Sequence, residues 1–213
     1  IAMAPGVSRI IIYQGVAGVT CSSSEDVSLV PYFNHLLNQI ATDNLARQIS
    51  TSWLWFGGLN DLSGADMTTD QIFQQMAAQG QSFFSASGDG GAYWGDRERY
   101  LASNHNDAPL VTSPYITLVG GTIVETDGAG GGWTNEVAWK EEHPPQGTNS
   151  TAGATSTTYA IPTWQQDVDM STNGGSTTMR NTPDVALAAA GVFVFANGTA
   201  HAEGGTSSAS PLW

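Results

Sequence analysis

The last ten residues of the chain, 204–213, crowd small side chains around one hydroxyl group, that of Ser207. The pair Gly204-Gly205 would let a backbone approach closely, and residues 208–211 suit the opening turn of a helix, where proline is tolerated. A serine at a helix N-terminus lies beside unpaired N–H donors, which stabilise the oxyanion formed when a hydroxyl attacks a carbonyl. Ser207 is therefore a candidate nucleophile. The alternative is a plain turn that is rich in hydroxyl groups.

Asp89 is the second candidate for chemistry, because it stands between glycines directly after a predicted strand. A carboxyl group in this open setting can approach a substrate carbonyl, and in acid, when protonated, it can donate a hydrogen bond to an oxyanion. The alternative is an aspartate that caps the next turn, and the residue pattern alone favours it. Asp184 is interpreted instead as a structural residue that braces a turn near the site.

The composition narrows the classes of partner. Six Lys and Arg residues oppose nineteen Asp and Glu residues in 213 residues, and the net charge is −13. This excess of negative charge argues against nucleic acid or an anionic membrane surface as a partner. Only 12% of the residues are charged. Few ion pairs suit a protein that works in acid, because ion pairs break when carboxylates are protonated.

The cysteine content and the targeting signals say little about function. Cys21 is the only cysteine, so an intrachain disulfide is impossible, and we expect a small buried apolar residue. No apolar run is long enough to span a bilayer and no signal peptide opens the chain, so we expect any secretion signal upstream of Ile1. Glycosylation sequons begin at Asn149 and Asn197 and matter only in a source that glycosylates secreted proteins.

Strand and helix patterns alternate at the start of the chain. Residues 9–13 form a β-branched run that predicts a buried strand, and residues 49–55 predict the next strand. Between them, Pro31 suits the first turn of a helix. The core face of that helix should carry Phe33, Leu36, Leu37 and Ile40.

The best-defined helix precedes Asp89. Thr68 and Gln71 have the spacing of a capping box, and Gly80 is a natural C-terminal stop. Residues 82–86 then predict a strand. Strand, helix and strand with short connections indicate a right-handed crossover in a parallel sheet, where sites collect at the carboxyl ends of strands. Asp89 lies at such an end.

The second half of the chain carries weaker patterns. Residues 116–119 predict a strand that is closed by Gly120-Gly121. Residues 127–156 are rich in Gly, Ser and Thr, and we interpret them as surface loops bordering a substrate groove. Residues 192–201, with Asn197-Gly198 at the turn, predict a hairpin that delivers the nucleophile loop.

Six segments resemble, in order and in spacing, the sedolisin family of serine-carboxyl peptidases, and within it the kumamolisin-like enzymes. The segments are residues 2–6 followed by 10–13, 50–53, 85–90, 113–115 with 120–122, 182–186 and 204–211, the last of which carries Gly-Gly-Thr-Ser-x-x-x-Pro. The resemblance spans nearly the whole chain. It implies a three-layer subtilisin-like α/β fold with a mainly parallel central sheet. It also implies that residues 1–213 are part of one peptidase catalytic domain, truncated at both ends.

The resemblance also assigns roles to residues. It makes Ser207 the nucleophile and Asp89 the acid that stabilises the oxyanion. The segment that contains Ser52 and Trp53 borders the substrate cleft, so we expect both residues to bind substrate. Trp53 also matches a tryptophan that supports the catalytic carboxylates, although a strand tryptophan is more often a core residue.

The base and the metal implied by the resemblance lie elsewhere. In the family the base is a glutamate that is paired with an aspartate four residues away, on one face of a helix. The first acidic residue here is Glu25, so we expect both carboxylates upstream of Ile1. The family also binds Ca²⁺ through residues that follow the nucleophile helix. The calcium ligands are therefore expected beyond Trp213, and no metal site can be assigned within the chain.

These features predict a secreted, acid-acting serine endopeptidase with a polypeptide substrate, no nucleic-acid or membrane partner, and a monomeric state. A non-catalytic binding module or inactive fragment on the same fold is the alternative, which the missing base favours. A His-dependent relative of subtilisin is disfavoured because no histidine stands in a His-Gly-Thr setting and no Asp-Thr-Gly or Asp-Ser-Gly follows the first strands. The four histidines are His35, His105, His143 and His201.

We predict that residues 1–213 alone show no measurable peptidase activity, because the proton acceptor for Ser207 is expected outside them. In a serine peptidase, loss of the base that takes the proton of the nucleophile lowers kcat by roughly 10⁴-fold or more. The measurement is hydrolysis of a denatured protein substrate at acid pH. Turnover that Ser207→Ala abolishes would contradict the prediction, because a residue within the chain would then be the base.

Overall fold

The computed structural model describes residues 5–15, 30–53, 67–91, 112–143 and 147–213, which form three α-helices, one 3-10 helix and eleven strands. The helices are α1 (Val30–Asp43), α2 (Met67–Ala78) and α3 (Thr206–Leu212), with the 3-10 helix at Thr163–Gln165. The strands are β1 (Gln48–Thr51), β2 (Ser82–Ala86), β3 (Thr117–Thr126), β4 (Trp133–Ala138), β5 (Lys140–His143), β6 (Gly147–Ser150), β7 (Ala154–Ala160), β8 (Met179–Thr182), β9 (Val185–Ala188), β10 (Val192–Ala196) and β11 (Thr199–Glu203). The predictions for Cys21, for His105 and for residues 54–55 of the second strand fall outside the described residues.

Five strands of the described ranges form a central sheet. β1 pairs with β2, β2 with β3 and β3 with β9, all in parallel, whereas β4 runs antiparallel to β3. Val119 of β3 pairs with both β2 and β9, so these strands flank β3 on opposite sides. Thr122 pairs with both β4 and β9, so β4 takes the place of β2 farther along β3. The sheet is mainly parallel, which confirms the prediction.

Helices cover both faces of this sheet. Side chains alternate between the two faces along a strand, and in β3 Leu118 faces one way and Val119 the other. Leu118 belongs to a buried cluster built with residues of α1 and α2. Val119 belongs to a second cluster that contains Ala209 of α3 and Trp139. The three predicted layers of the α/β fold are therefore present.

The first predicted helix forms where its apolar face meets the core. In α1, Leu37 and Ile40 are buried, and Phe33 and Leu36 pack against the same cluster. The predicted core face is therefore confirmed. In the described part of the chain, no helix combines the length and the apolar character needed to cross a membrane.

The second helix ends at Ala78, and Gly80 stops it there, as predicted. Gly80 has a φ of 74°, a left-handed conformation that glycine adopts at little cost. Its amide donates to the Ala77 carbonyl at 3.0 Å, and the Gln81 amide donates to the Met76 carbonyl at 2.9 Å, which are the two bonds of a Schellman motif. The position of the capping box is wrong, because α2 begins one residue before Thr68 and so includes it.

The strand predicted at residues 9–13 does not form. Ile10 and Ile12 are 60% and 78% exposed, and no described strand pairs with this segment. Tyr13 packs against the core cluster of α1 and α2, and its hydroxyl donates to Asp43 at 3.0 Å. β-branched residues favour a strand where a neighbouring strand and a core surface are available. The prediction failed because the local pattern does not report either of these.

β3 does not close at Gly120-Gly121 but runs through both residues to Thr126. A Cβ atom on Gly120 would lie 2.7 Å from Cγ of Pro183, and one on Gly121 would lie 2.6 Å from Cβ of Ala189. Neighbouring segments therefore pack directly against the backbone of β3. These two glycines permit close packing inside the sheet and do not mark its edge.

Residues 127–156 were predicted as surface loops, and this prediction is wrong for most of them. They contain β4, β5, β6 and the start of β7, and they supply the buried residues Trp139 and Ala152. Every residue of β4 is exposed although the strand pairs with β3. Its composition therefore resembles that of a loop, because a strand with no buried face does not need to alternate apolar and polar residues.

The predicted hairpin is confirmed as β10 and β11, which pair antiparallel around Asn197-Gly198. Asn197 and Gly198 have φ values of 52° and 77°, as a type I′ turn requires. β11 runs to Glu203, and α3 begins three residues later. The hairpin thus leads into the loop that carries Ser207.

Asp184 braces the start of β9, which confirms its structural interpretation. Its Oδ2 accepts hydrogen bonds from the Leu118 amide at 2.8 Å and from the Arg180 guanidinium at 2.6 Å. Arg180 is fully buried and also donates to two backbone carbonyls. Burial lowers the pKa of Arg180, and the adjacent Asp184 carboxylate opposes that shift. The brace lies at the start of β9, whereas the nucleophile loop meets the other end of that strand, so it is not part of the site.

Candidate active site

The predicted site residues collect at one edge of the sheet. β1 ends at Thr51 and its parallel neighbour β2 ends at Ala86, so Ser52 and Asp89 follow the carboxyl ends of adjacent strands. α3 packs against β1, β2, β3 and β9, and Ser207 is its second residue. This edge is where ligand sites form in open parallel sheets.

Asp89 is bonded to the first residue of the nucleophile helix. Its Oδ1 accepts hydrogen bonds from the Thr206 amide and from the Thr206 hydroxyl, each at 2.8 Å. The Thr206 hydroxyl in turn accepts a hydrogen bond from the Gly88 amide at 3.0 Å. Thr206 is completely buried, so its hydroxyl is fully paired within the protein. Asp89 therefore caps α3, a helix 117 residues away, and not the turn that follows it.

The second carboxyl oxygen of Asp89 is left for other partners. Among the described residues, no hydrogen bond involves Asp89 Oδ2. The capping role and a role toward substrate are therefore compatible, because each uses a different oxygen.

Gly205 makes the contact between Asp89 and Thr206 possible. A Cβ atom at this position would lie 2.7 Å from Asp89 Oδ2, and the residue has a φ of 87°. Its amide donates to the Ala189 carbonyl at 2.8 Å, just after the end of β9. A Cβ atom on Gly204 would lie 3.0 Å from the same carbonyl oxygen. The close backbone approach that the two glycines predicted is confirmed.

Ser207 and Ser52 bond to each other in both directions. The Ser207 hydroxyl donates to the Ser52 carbonyl at 3.3 Å, and the Ser52 hydroxyl donates to the Ser207 carbonyl at 2.7 Å. Next to them, the Ser210 hydroxyl donates to the Thr51 carbonyl at 3.1 Å. Three hydroxyl–carbonyl bonds therefore tie α3 to the end of β1.

Within the described residues, Trp53 contributes only a backbone hydrogen bond to the end of β1. Its side chain is 78% exposed, and its backbone amide donates to the Thr51 hydroxyl at 3.2 Å. The alternative of a core tryptophan is wrong. An exposed aromatic ring beside Ser52 is available to a ligand, and its predicted contact with substrate stays a prediction.

The Ser207 amide is the donor nearest to the nucleophile. α3 begins at Thr206, so the Ser207 amide has no partner four residues earlier in the helix. No residue in the described ranges accepts a hydrogen bond from it. It is therefore free to donate to an oxyanion that forms beside its own side chain.

The Asp89 loop is fixed by a segment that the sequence had suggested was loop. The Ser150 amide donates to the Asp89 carbonyl at 2.9 Å, and the Ala152 amide donates to the Gly88 carbonyl at 2.8 Å. The Gly91 amide completes this ladder by donating to the Ser150 carbonyl at 3.0 Å. The backbone at both sides of Asp89 is thus paired like an edge strand, which limits where its carboxyl can go.

Two residues of the site were not singled out by the sequence analysis. Thr206 and Ser210 are both buried, and their hydroxyls join α3 to the Asp89 loop and to β1. The signal for both was their place within the Gly-Gly-Thr-Ser-x-x-x-Pro segment. Their partners could not be predicted, because these are more than 100 positions away in the chain.

The described residues supply neither a base nor a metal site at this edge. The acceptor of the Ser207 hydroxyl is a backbone carbonyl, which is too weak a base to take its proton. Across the described ranges, no three His, Cys, Asp or Glu side chains come together as a metal site would require. The calcium ion implied by the resemblance would use ligands outside these residues, and it stays a prediction.

Two curated relatives are similar to this chain. Xanthomonalisin from Xanthomonas sp. (strain T-22) is 34% identical over 242 aligned residues, which cover all of this chain and 28% of that protein. Sedolisin from Pseudomonas sp. (strain 101) is 33% identical over 197 residues, which cover 90% of this chain and 32% of that protein. The chain is therefore similar to these two proteins over at least 90% of its length.

The fold of this chain agrees with a solved structure. Pseudomonas sedolisin, a serine-carboxyl proteinase complexed with two molecules of pseudo-iodotyrostatin, matches it with a TM-score of 0.68 and 30% identity. The match covers 85% of this chain and 49% of that one, and it confirms the subtilisin-like fold. The chain spans about a third or less of the curated relatives. No family model matches it.

We predict that Gly205→Ala lowers the free energy of unfolding of the whole protein by about 2–4 kcal/mol, from backbone strain plus the clash with Asp89. The measurement is urea unfolding. The matched control is Gly198→Ala, because Gly198 also has a positive φ, of 77°, but a Cβ atom there would meet nothing within 4 Å. The control should lose only the strain, about 1 kcal/mol. Equal losses in the two variants would show that the contact between Gly205 and Asp89 is not tight.

Proposed function

We propose that the protein is a serine-type endopeptidase of the serine-carboxyl class and that it hydrolyses peptide bonds through Ser207. The observation that carries this proposal is the pair of bonds from Thr206 to Asp89 Oδ1. They hold a carboxyl group beside the residue that directly precedes the candidate nucleophile. Similarity to sedolisin supports the same reaction, since the Pseudomonas protein is a serine-carboxyl proteinase.

The first step is attack by the Ser207 hydroxyl on the carbonyl carbon of the scissile peptide bond. A new carbon–oxygen bond forms, the carbonyl electron pair moves to its oxygen, and a base takes the hydroxyl proton. We assign the base to a Glu/Asp carboxylate pair elsewhere in the whole protein. A carboxylate stays unprotonated at a pH where an imidazole would be charged, so it suits catalysis in acid.

Two donors stabilise the oxyanion in this mechanism. One is the Ser207 amide, which has no acceptor among the described residues. The other is Asp89, which carries a proton on Oδ2 while Oδ1 keeps its two bonds to Thr206. A protonated carboxyl group has one oxygen that donates and one that only accepts. Because Oδ1 accepts two hydrogen bonds, the proton is placed on Oδ2.

Collapse of the tetrahedral intermediate breaks the carbon–nitrogen bond and transfers the proton from the base to the leaving amine. Water, which the same base deprotonates, then attacks the acyl-enzyme carbonyl. The carbon–oxygen bond to Ser207 breaks, the acid product leaves, and the base returns its proton to the Ser207 oxygen. Each proton taken by the base is thereby returned, and Asp89 returns to its starting state.

We further propose a polypeptide substrate, because the similar Pseudomonas sedolisin was solved with pseudo-iodotyrostatin. Secretion, action in acid, a monomeric state and a bound calcium ion are parts of the same proposal. The small charged fraction of 12% supports action in acid.

We predict that Asp89→Asn flattens the alkaline limb of kcat against pH in the whole protein. A protonated Asp89 donates to the oxyanion, whereas an ionised one repels it, so wild-type activity falls as pH rises. An amide cannot ionise, and its oxygen can still accept from Thr206. The maximal rate should fall by up to about 10²-fold, because loss of one oxyanion donor typically lowers turnover by 10²–10³.

The control for this prediction is Asp167→Asn, which removes the same charge from an exposed position. It should reproduce the wild-type pH profile. If Asp89→Asn also keeps the wild-type shape and height, Asp89 is a helix cap only and its oxyanion role is wrong. Ser207→Ala should abolish hydrolysis, and retained activity would reject the proposed function.

A further inference from the structure

α3 contains a proline at its sixth position, Pro211. Proline has no amide hydrogen, so the carbonyl four residues earlier in a helix receives no backbone hydrogen bond. In α3 that carbonyl belongs to Ser207, the candidate nucleophile. The helix is therefore missing a bond at the residue whose position matters most for the reaction.

The Ser52 hydroxyl fills this place. It donates to the Ser207 carbonyl at 2.7 Å, which is a short and well-formed O–H···O bond. The Ser52 carbonyl in turn accepts the Ser207 hydroxyl at 3.3 Å. One residue at the end of β1 thus holds both the backbone and the side chain of Ser207.

We propose that Ser52 is a positioning residue, whose hydroxyl replaces the amide that Pro211 lacks and so fixes the direction of the Ser207 amide and hydroxyl toward the same substrate carbonyl. This inference rests on the proposed function. It extends the expectation that Ser52 binds substrate, because its hydroxyl already has a partner inside the protein. The neighbouring bond from Ser210 to Thr51 holds the next turn of the same helix face and makes no contact with the Ser207 carbonyl.

The expected loss of kcat in Ser52→Ala follows from the geometry of attack by Ser207. Ser207 lies in the first turn of α3, where a peptide plane cannot turn on its own without breaking the helix. A shift that lets the unpaired carbonyl reach water therefore moves the whole turn, including the Ser207 amide and hydroxyl. A displacement of about 1 Å at a reacting group can lower a rate by roughly 10²-fold. Ser52 is exposed, so water partly replaces its hydroxyl in a truncated variant. We therefore expect Ser52→Ala to lower kcat by about tenfold and to change KM by less than about twofold.

The test is a double-mutant cycle in the whole protein with Ser52→Ala, Pro211→Ala and both together. Alanine at 211 restores the amide that can donate to the Ser207 carbonyl, so Ser52→Ala should then lower kcat by less than about threefold. Equal effects of Ser52→Ala in the two backgrounds would overturn the inference. An increase in KM with unchanged kcat would also overturn it, because Ser52 would then only bind substrate.

Three further variants complete the experiment. Ser52→Thr keeps the hydroxyl and should retain at least about a third of the wild-type kcat. This variant tests the role of the hydroxyl even if Ser52→Ala fails to fold. Loss of activity in this variant, with the protein folded, contradicts the role of the hydroxyl. Ser171→Ala removes an exposed serine hydroxyl outside the site and should match wild type. Ser207→Ala separates the two proposals: if it stays active, the proposed function and this inference both fail. If it is inactive while Ser52→Ala matches wild type, the positioning role alone fails.

Discussion

The contact between Asp89 and Thr206 is the constraint on which the site depends. A single carboxyl oxygen accepts both the amide and the hydroxyl of a completely buried threonine. The contact joins the loop after β2 to the first turn of α3 and brings Asp89 next to the helix that carries Ser207. Because the threonine hydroxyl is also bonded to the Gly88 amide, the loop and the helix cannot shift independently without leaving a buried polar group unpaired.

The rest of the described structure keeps this contact in place from both sides. The Asp89 loop is paired with residues 150–152, and α3 is tied to the end of β1 by hydroxyl–carbonyl bonds. The glycine at 205 makes the approach sterically possible. Positioning by several backbone-anchored bonds is what an oxyanion donor needs, since its value lies in being in place before charge develops.

Short-range signals in the sequence predicted most of what the site needs. The stop at Gly80 and the turn at Asn197-Gly198 were predictable because each depends on a backbone conformation that few residues adopt. The Gly204-Gly205 pair was read correctly for the same reason. The resemblance to the sedolisin family made Asp89 a candidate for the site. The local pattern alone favoured an aspartate that caps the next turn.

The failures share one physical cause, which is that pairing and burial depend on tertiary packing that the local sequence does not report. Residues 9–13 look like a strand but are exposed at Ile10 and Ile12, whereas β4 looks like a loop but pairs with β3. The partners of Thr206, Ser207 and Ser210 lie 117 to 159 positions away, so their bonds could be seen only in the structure. Sequence patterns thus place the residues of this site, and long-range packing decides which of them touch.

The most direct test of this account is a crystal structure of the whole protein, at acid pH, with a peptide aldehyde bound to Ser207. The aldehyde forms a hemiacetal whose oxygen takes the place of the oxyanion. We expect that oxygen within about 2.5–3.0 Å of Asp89 Oδ2 and of the Ser207 amide, while Asp89 Oδ1 keeps both bonds to Thr206. A hemiacetal oxygen that lies far from Asp89, with Ser207 covalently occupied, would show that Asp89 only caps the helix and would contradict the account.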